Sequence, residues 1–170
     1  MSATGTVVEA VLFDFTGILT TSPFASIARV AGEVGWEPEA FRELVAGRDG
    51  LETDHPFQRM IRGESTLAEY YLALMDILSA AGIGLDISEL IRGFAELKVN
   101  TGIPERIVGL REMGIRTALV TNTIREAAGL WATLVDLDAL FDVVVASYET
   151  GMRKPDPRIW QLALTRLGVD

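Results

Sequence analysis

The sequence predicts an α/β protein in which helices cover both faces of a parallel sheet and a separate block of helices is inserted after the first strand. Three observations carry this prediction. Apolar runs of strand length lie at 7–13, 115–120 and 141–146. The last two alternate with amphipathic helical segments, and the stretch 22–98 has helical periodicity without strand-like alternation. Strands that alternate with helices imply parallel pairing, because a tight hairpin cannot bring a parallel neighbour into place.

Residues 7–13, VVEAVLF, are β-branched and apolar with one charge and no helical stripe, as a strand covered on both faces requires. Ser22-Pro23 supplies an N-cap with proline at the first helical position, and Ile27, Val30, Ala31 and Val34 recur at helical spacing up to Gly35. Pro38 opens a second helix with Phe41, Leu44 and Val45 inward and Gly47 beyond its end, and 48–56 reads as a polar loop. Thr66-Leu67-Ala68-Glu69 fits a capping box; Leu67, Tyr70, Tyr71, Leu74, Ile77, Leu78 and Ala81 then form one stripe as far as Gly82. A short helix follows over 88–94. After Thr101 come a helix over 105–113, a strand over 115–120, a helix from 124 to 135, a strand over 141–146 and a helix over 157–167 capped by Asp156. The plan is a Rossmann-like three-layer core from 1–20 and 99–170. A helical cap, 21–98, sits over the carboxyl ends of the strands, where open α/β sheets bind ligands.

With 49% hydrophobic residues among 170, the chain can bury a sizeable core. Fifteen Lys plus Arg against 24 Asp plus Glu leave a net charge of -9 and no basic stretch to track a phosphate backbone, so nucleic acid is not an expected partner. The absence of cysteine excludes a disulfide framework, a thiolate zinc site and a cysteine nucleophile. Residues 1–6 carry no basic group, and the 7–13 run is too short for a signal or a membrane span. A soluble, cytoplasmic protein without a membrane partner is expected.

Asp14 follows the first strand, Thr121 the second, and Lys154 lies in the loop after the third. A parallel sheet gathers all three at one edge. A carboxylate nucleophile, a hydroxyl donor and an ammonium suit an anionic group that is attacked covalently and stabilised electrostatically. Thr121 and Asn122 equally suit capping of the helix that begins near Ile124.

Three stretches, Phe13-Asp14-Phe15-Thr16-Gly17-Ile18-Leu19, Val120-Thr121-Asn122-Thr123 and Gly151-Met152-Arg153-Lys154-Pro155-Asp156-Pro157, resemble the first three motifs of the haloacid dehalogenase superfamily in order, strand context and spacing. Within it, residues 121–123, the segment from Phe141-Asp142 to Gly151-Met152, and Arg62-Gly63-Glu64-Ser65-Thr66-Leu67 look most like the N-terminal phosphatase domain of soluble epoxide hydrolases. The resemblance implies a phosphatase-type hydrolase acting on a small anionic, phosphorylated substrate. Asp14 would attack phosphorus to give an aspartyl-phosphate, Thr121 and Asn122 would hold the phosphoryl group, and Lys154 would offset its charge. Mg²⁺ would bridge nucleophile and substrate, held by Asp14 and the carbonyl of Thr16. Backbone amides of the turn 15–17 would add oxyanion donors, with Gly17 free to take unusual backbone angles.

Two departures qualify what the resemblance implies. Thr16 stands where such phosphatases carry a second aspartate, and a hydroxyl cannot take up and return a proton near neutral pH; positioned acid–base help is worth about 10²–10⁴-fold. P-type ATPases are similar in having Asp-Xaa-Thr-Gly, and haloacid dehalogenases place a tyrosine there, so a dehalogenase-like hydrolase is the alternative, and an inactive domain acting through a partner a third. The family's fourth motif, an acidic pair, is expected downstream of Asp170. For residues 1–170 alone the expectation is therefore weak or absent Mg²⁺ binding, and an apolar edge at 7–13 open to a homo-oligomer or another partner.

His55, near Glu52 and Asp54, fits no metal-ligand spacing and is expected as a loop histidine facing solvent. Arg48, Arg59 and Arg62 read as a solvated face, with contact to an anionic substrate as the alternative. Tyr70, Tyr71, Phe94 and the three tryptophans read as packing residues, Trp36 nearer the cap surface.

Overall fold

A computed structural model describes residues 8–48 and 50–169, apart from the side chains of 93–95, so Val7 and the Phe94 side chain lie outside the described residues. Strands β1 (Ala10–Phe13), β2 (Arg116–Thr121) and β3 (Val143–Ala146) form one sheet in the order β1-β2-β3. Both pairings are parallel: Phe13 is opposite Leu119, and Thr121 is opposite Ala146. Side chains of β2 alternate between the faces. Leu119 joins a core with Phe15, Ile107, Trp131 and Phe141, whereas Ala118 and Val120 join one with Val145, Ile159 and Ala163. Helices α6 (Ile103–Glu112) and α7 (Ala128–Leu134) belong to the first layer and α10 (Pro157–Leu167) to the second, which gives the expected three layers. One detail differs. All four residues of β1 are half-buried rather than covered on both faces, because β1 pairs only with β2 among the described residues.

Between β1 and β2 the chain forms α1 (Phe24–Glu33), α2 (Pro38–Ala46), α3 (Pro56–Ile61), α4 (Leu67–Ala80) and α5 (Ser88–Ala95). Their inward residues share one core built on Ile27, Phe41, Met60, Tyr70 and Leu74. The capping box of α4 is present: Thr66 accepts the Glu69 N–H at 3.2 Å, and the Glu69 carboxylate accepts the Thr66 N–H at 2.7 Å. At α1 the proline sits one position earlier than expected, and the Ser22 hydroxyl accepts the Phe24 N–H at 3.3 Å. The helix α3 has no counterpart in the sequence reading. Its six residues are too few for a periodic stripe, and proline at its first position is its one start signal. The four-residue helices α8 (Leu137–Leu140) and α9 (Ser147–Thr150) escaped for the same reason, and the helix expected from 124 to 135 splits into a 3₁₀ turn followed by α7. No helix among the described residues is long and apolar enough to cross a membrane.

The two connections between the helical block and the sheet layers run side by side. Thr20 bridges Val99 in antiparallel fashion, and Thr21 N–H donates to Lys98 O at 2.8 Å. The Asn100 side chain closes the same junction by donating to the carbonyls of Ile18 (2.8 Å) and Thr20 (3.0 Å). A second seam joins α3 to α9, where the buried Ser147 hydroxyl donates to Ile61 O at 2.5 Å and accepts the Thr123 N–H at 2.9 Å. Beside it, Gly63 has φ +75°, and a Cβ there would lie 2.3 Å from Tyr148 O. Substituting Gly63→Ala should therefore destabilise by roughly 2–4 kcal/mol, the left-handed backbone cost plus overpacking against a carbonyl. Gly35→Ala (φ +74°, open space around it) should cost only the backbone part, about 1–2 kcal/mol. Equal losses for the two variants in urea unfolding would show that the seam is not tight.

Candidate active site

Asp14 leaves the sheet one residue beyond the Phe13–Leu119 pair, at the carboxyl end of the sheet. Its own turn holds it. The Asp14 Oδ1 accepts the Phe15 N–H at 2.8 Å, and the chain closes through Gly17 N–H to Thr20 O (2.9 Å) and Thr20 N–H to Phe15 O (3.0 Å). Gly17 takes φ +85°, which only glycine adopts without strain. Phe15, fully buried, stacks on Trp131 with ring centroids 4.3 Å apart and anchors the turn in the core.

Lys154 comes back to Asp14 from a distant part of the chain. Its Nζ lies 2.7 Å from Asp14 Oδ2, with the lysine side chain 16% exposed and the aspartate 35%. The ammonium also sits 5.7 Å from the Trp160 ring centroid, a cation–π contact that limits its swing. The backbone is fixed just as firmly, since Asn122 Oδ1 accepts the Lys154 N–H at 2.7 Å and Asn122 Nδ2 donates to Lys154 O at 3.0 Å. Asn122 thus ties the end of β2 to the loop after α9. Its amide keeps one donor and one acceptor site beyond these two bonds. Thr121, the last residue of β2, is fully buried, and its hydroxyl has no hydrogen-bond partner among the described residues.

These residues meet a cavity of about 410 Å³ between the helical block and the sheet. Asp14, Thr16, Asn122, Arg153 and Lys154 border its polar end; Phe57, Met60, Tyr70, Leu74, Leu90 and Trp131 are among its apolar walls. Thr121 is not on that border. Tyr70, Tyr71 and Trp131, expected as packing residues, pack and also wall the cavity. Tyr70 donates to Val45 O at 3.0 Å, and burial pushes its pKa up. The one other carboxylate on the border, Glu126, accepts the Leu67 N–H at 3.2 Å at the start of α4.

Arg48, Arg59 and Arg62 do not border the cavity. Arg48 and Arg59 are solvated, whereas the Arg62 side chain is only 11% exposed and is bound by Glu52 and Glu64, contrary to the solvated face expected of it. Sequence reasoning missed Arg153, which is 5% exposed. It stands one residue before the lysine of the motif, and adjacency to that lysine was its only signal. No group of three His, Cys, Asp or Glu side chains suited to a metal occurs among the described residues.

The sequence pattern of the family described as haloacid dehalogenase-like hydrolase matches residues 8–170. The chain is 32% identical to mouse acyl-CoA dehydrogenase family member 10 over 95% of its own length and 15% of that protein. It is 30% identical to a phosphorylated carbohydrates phosphatase of Thermotoga maritima over 95% of its own length and 71% of the relative. The rat bifunctional epoxide hydrolase 2 is 25% identical over 91% of this chain and 30% of the relative, in line with the resemblance to epoxide hydrolases. The chain thus spans only a small part of the mouse and rat proteins. In fold, it matches a haloacid dehalogenase-family enzyme of Bacteroides thetaiotaomicron solved with magnesium and inorganic phosphate, with TM-score 0.64 and 18% identity over 96% of this chain and 81% of the other.

His55 is half-buried rather than solvent-facing, and it caps α3. Its Nδ1 accepts the Phe57 N–H at 3.2 Å, and Nε2 lies 3.2 Å from Leu44 O, so the neutral ring with its proton on Nε2 satisfies both contacts. Burial lowers its pKa from 6.5. A folded value below the unfolded one gives stability that is complete above about pH 6.5 and is lost as pH falls through the folded value. Chemical unfolding at about pH 7 and pH 5 should show this loss in the wild type and a smaller one in His55→Asn, whose amide can keep the cap. Parallel losses would exclude His55 as the titrating group.

Proposed function

The chain belongs to the haloacid dehalogenase-like hydrolase family, and from that premise we propose that it cleaves a small phosphorylated substrate by attack of Asp14 on phosphorus. The observation that carries this reading is the 2.7 Å pair between Lys154 Nζ and Asp14 Oδ2 at the polar end of the cavity. An ammonium held there can accompany the phosphoryl oxygens as charge moves onto them. The spare Asn122 amide donor can add an uncharged hydrogen bond at the same end of the cavity, whereas the buried Thr121 hydroxyl lies off its border. The helical block 21–98 acts as a cap, and its apolar walls favour an ester whose alcohol part is largely apolar.

In the first step an Asp14 oxygen bonds to phosphorus, the bond from phosphorus to the ester oxygen breaks, and the leaving alkoxide takes a proton from water. In the second, water attacks the aspartyl-phosphate, which releases phosphate and restores the carboxylate. Thr16 can orient water by hydrogen bonding but cannot exchange a proton with it near neutral pH, so both steps run without side-chain acid–base help from that position. Mg²⁺ takes six oxygens, retains several waters and is held by one or two carboxylates plus substrate phosphate. Asp14 keeps lone pairs beyond its two contacts, and with the Thr16 carbonyl it fits the low end of that requirement. The ion would supply charge neutralisation between nucleophile and phosphate.

With Mg²⁺ and a generic aryl phosphate, slow turnover is expected, and Asp14→Asn should abolish it. Thr16→Asp should raise the rate by at least about tenfold, within the 10²–10⁴-fold that positioned acid–base help supplies. Turnover that survives Asp14→Asn would refute the nucleophile, and halide release from a 2-haloacid without phosphatase activity would favour dehalogenation.

A further inference from the structure

The Arg153 guanidinium is nearly buried, lies beside the proposed reactive pair and joins two parts of the molecule that the sequence separates by about a hundred residues. Toward the sheet layers, Arg153 Nη1 donates to Lys154 O at 3.0 Å, the same carbonyl that accepts from Asn122. Toward the helical block, Nη2 donates to Leu51 O. Its Nε lies 3.2 Å from Glu52 Oε2, within ion-pair distance but outside hydrogen-bond geometry. Glu52 is shared. Its other oxygen accepts from Arg62 Nη1, and Arg62 also donates to Thr53 O at 3.2 Å. Two nearly buried arginines, one from each side, therefore hold the segment 51–53, whose Thr53 N–H is bound by Gln58 Oε1 at 2.8 Å.

We infer that Arg153 is a positioning residue that couples the anchoring of the segment 51–53 to placement of Lys154 against Asp14. The inference rests on the reading of Asp14 and Lys154 as the reactive pair. The planar guanidinium is what the arrangement requires, since it presents donors in several fixed directions at once. A lysine ammonium keeps the charge near Glu52 but cannot reach Leu51 O and Lys154 O together. Loosening Arg153 should therefore free the segment and the lysine in one event.

Amide hydrogen exchange, read residue by residue on the full chain, separates this from a local packing role. Arg153→Lys should speed exchange at both Thr53 and Lys154 by about tenfold or more, the scale of one charge-assisted hydrogen bond lost. Acceleration at one site alone, or at neither, would overturn the coupling. Should Arg153→Lys fail to fold, Glu52→Ala at a half-exposed position decides: Thr53 should exchange faster while Lys154 stays within about twofold. Faster exchange at Lys154 in that variant would mean that the segment, not Arg153, holds the lysine. In turnover, Arg153→Lys should lower kcat in the wild-type background and add nothing in a Lys154→Met background; an additive loss would overturn the inference. Activity that survives Asp14→Asn would strike the reaction assigned to the site and leave the exchange results to decide on Arg153.

Discussion

Asn122 binds both backbone groups of Lys154, and the site depends on that clamp. It fixes a loop residue from beyond β3 against the end of β2, which the sheet register in turn fixes against β1 and Asp14. A long, flexible ammonium side chain would otherwise lose much of its rotamer freedom to hold a 2.7 Å contact. Here the backbone clamp and the Trp160 ring have already removed part of that freedom, so the charge is held in place beside Asp14.

The apolar part of the cavity depends on a different set of forces. Its walls come from the helical block and from the sheet layers, and among the described residues few polar bonds cross between them. Ser147 to Ile61, Glu126 to Leu67 and Arg153 to the segment 51–53 all lie at junctions where one side ends a helix or a loop. The first two satisfy otherwise orphaned helix-end groups, the third binds a loop, and together they tie the two parts to each other. The close approach of Gly63 to Tyr148 O fixes the same distance sterically.

The three strands, the long helices and the three residues at the strand ends were legible because each rests on periodicity or on immediate neighbours. Asp14 follows an apolar run and precedes a glycine turn; the capping box of α4 is a four-residue pattern. Other features had no such signature. Helices α3, α8 and α9 are too short to show a stripe. His55 and Arg62 read as surface residues because the groups that bind them, Leu44 O for His55 and Glu52 and Thr53 O for Arg62, stand at separations that match neither helical nor strand spacing. Arg153 is functional-looking only once its acceptors at Leu51 and Lys154 are seen. Long-range hydrogen bonds decide what these residues do, and no local spacing encodes them.

If Asp14 attacks phosphorus as proposed, an aryl phosphate loses its phenolate without needing a proton, whereas hydrolysis of the aspartyl-phosphate lacks the acid–base help absent at position 16, so the covalent state should outlive its formation. Acid quenching during turnover of an aryl phosphate with Mg²⁺, followed by peptide mass spectrometry, reads that state directly. One phosphoryl group is expected on the peptide that contains Asp14, present in a substantial fraction of molecules and depleted in Thr16→Asp. Turnover with no phosphorylated peptide in either protein, or with the phosphoryl group on another residue, would contradict it.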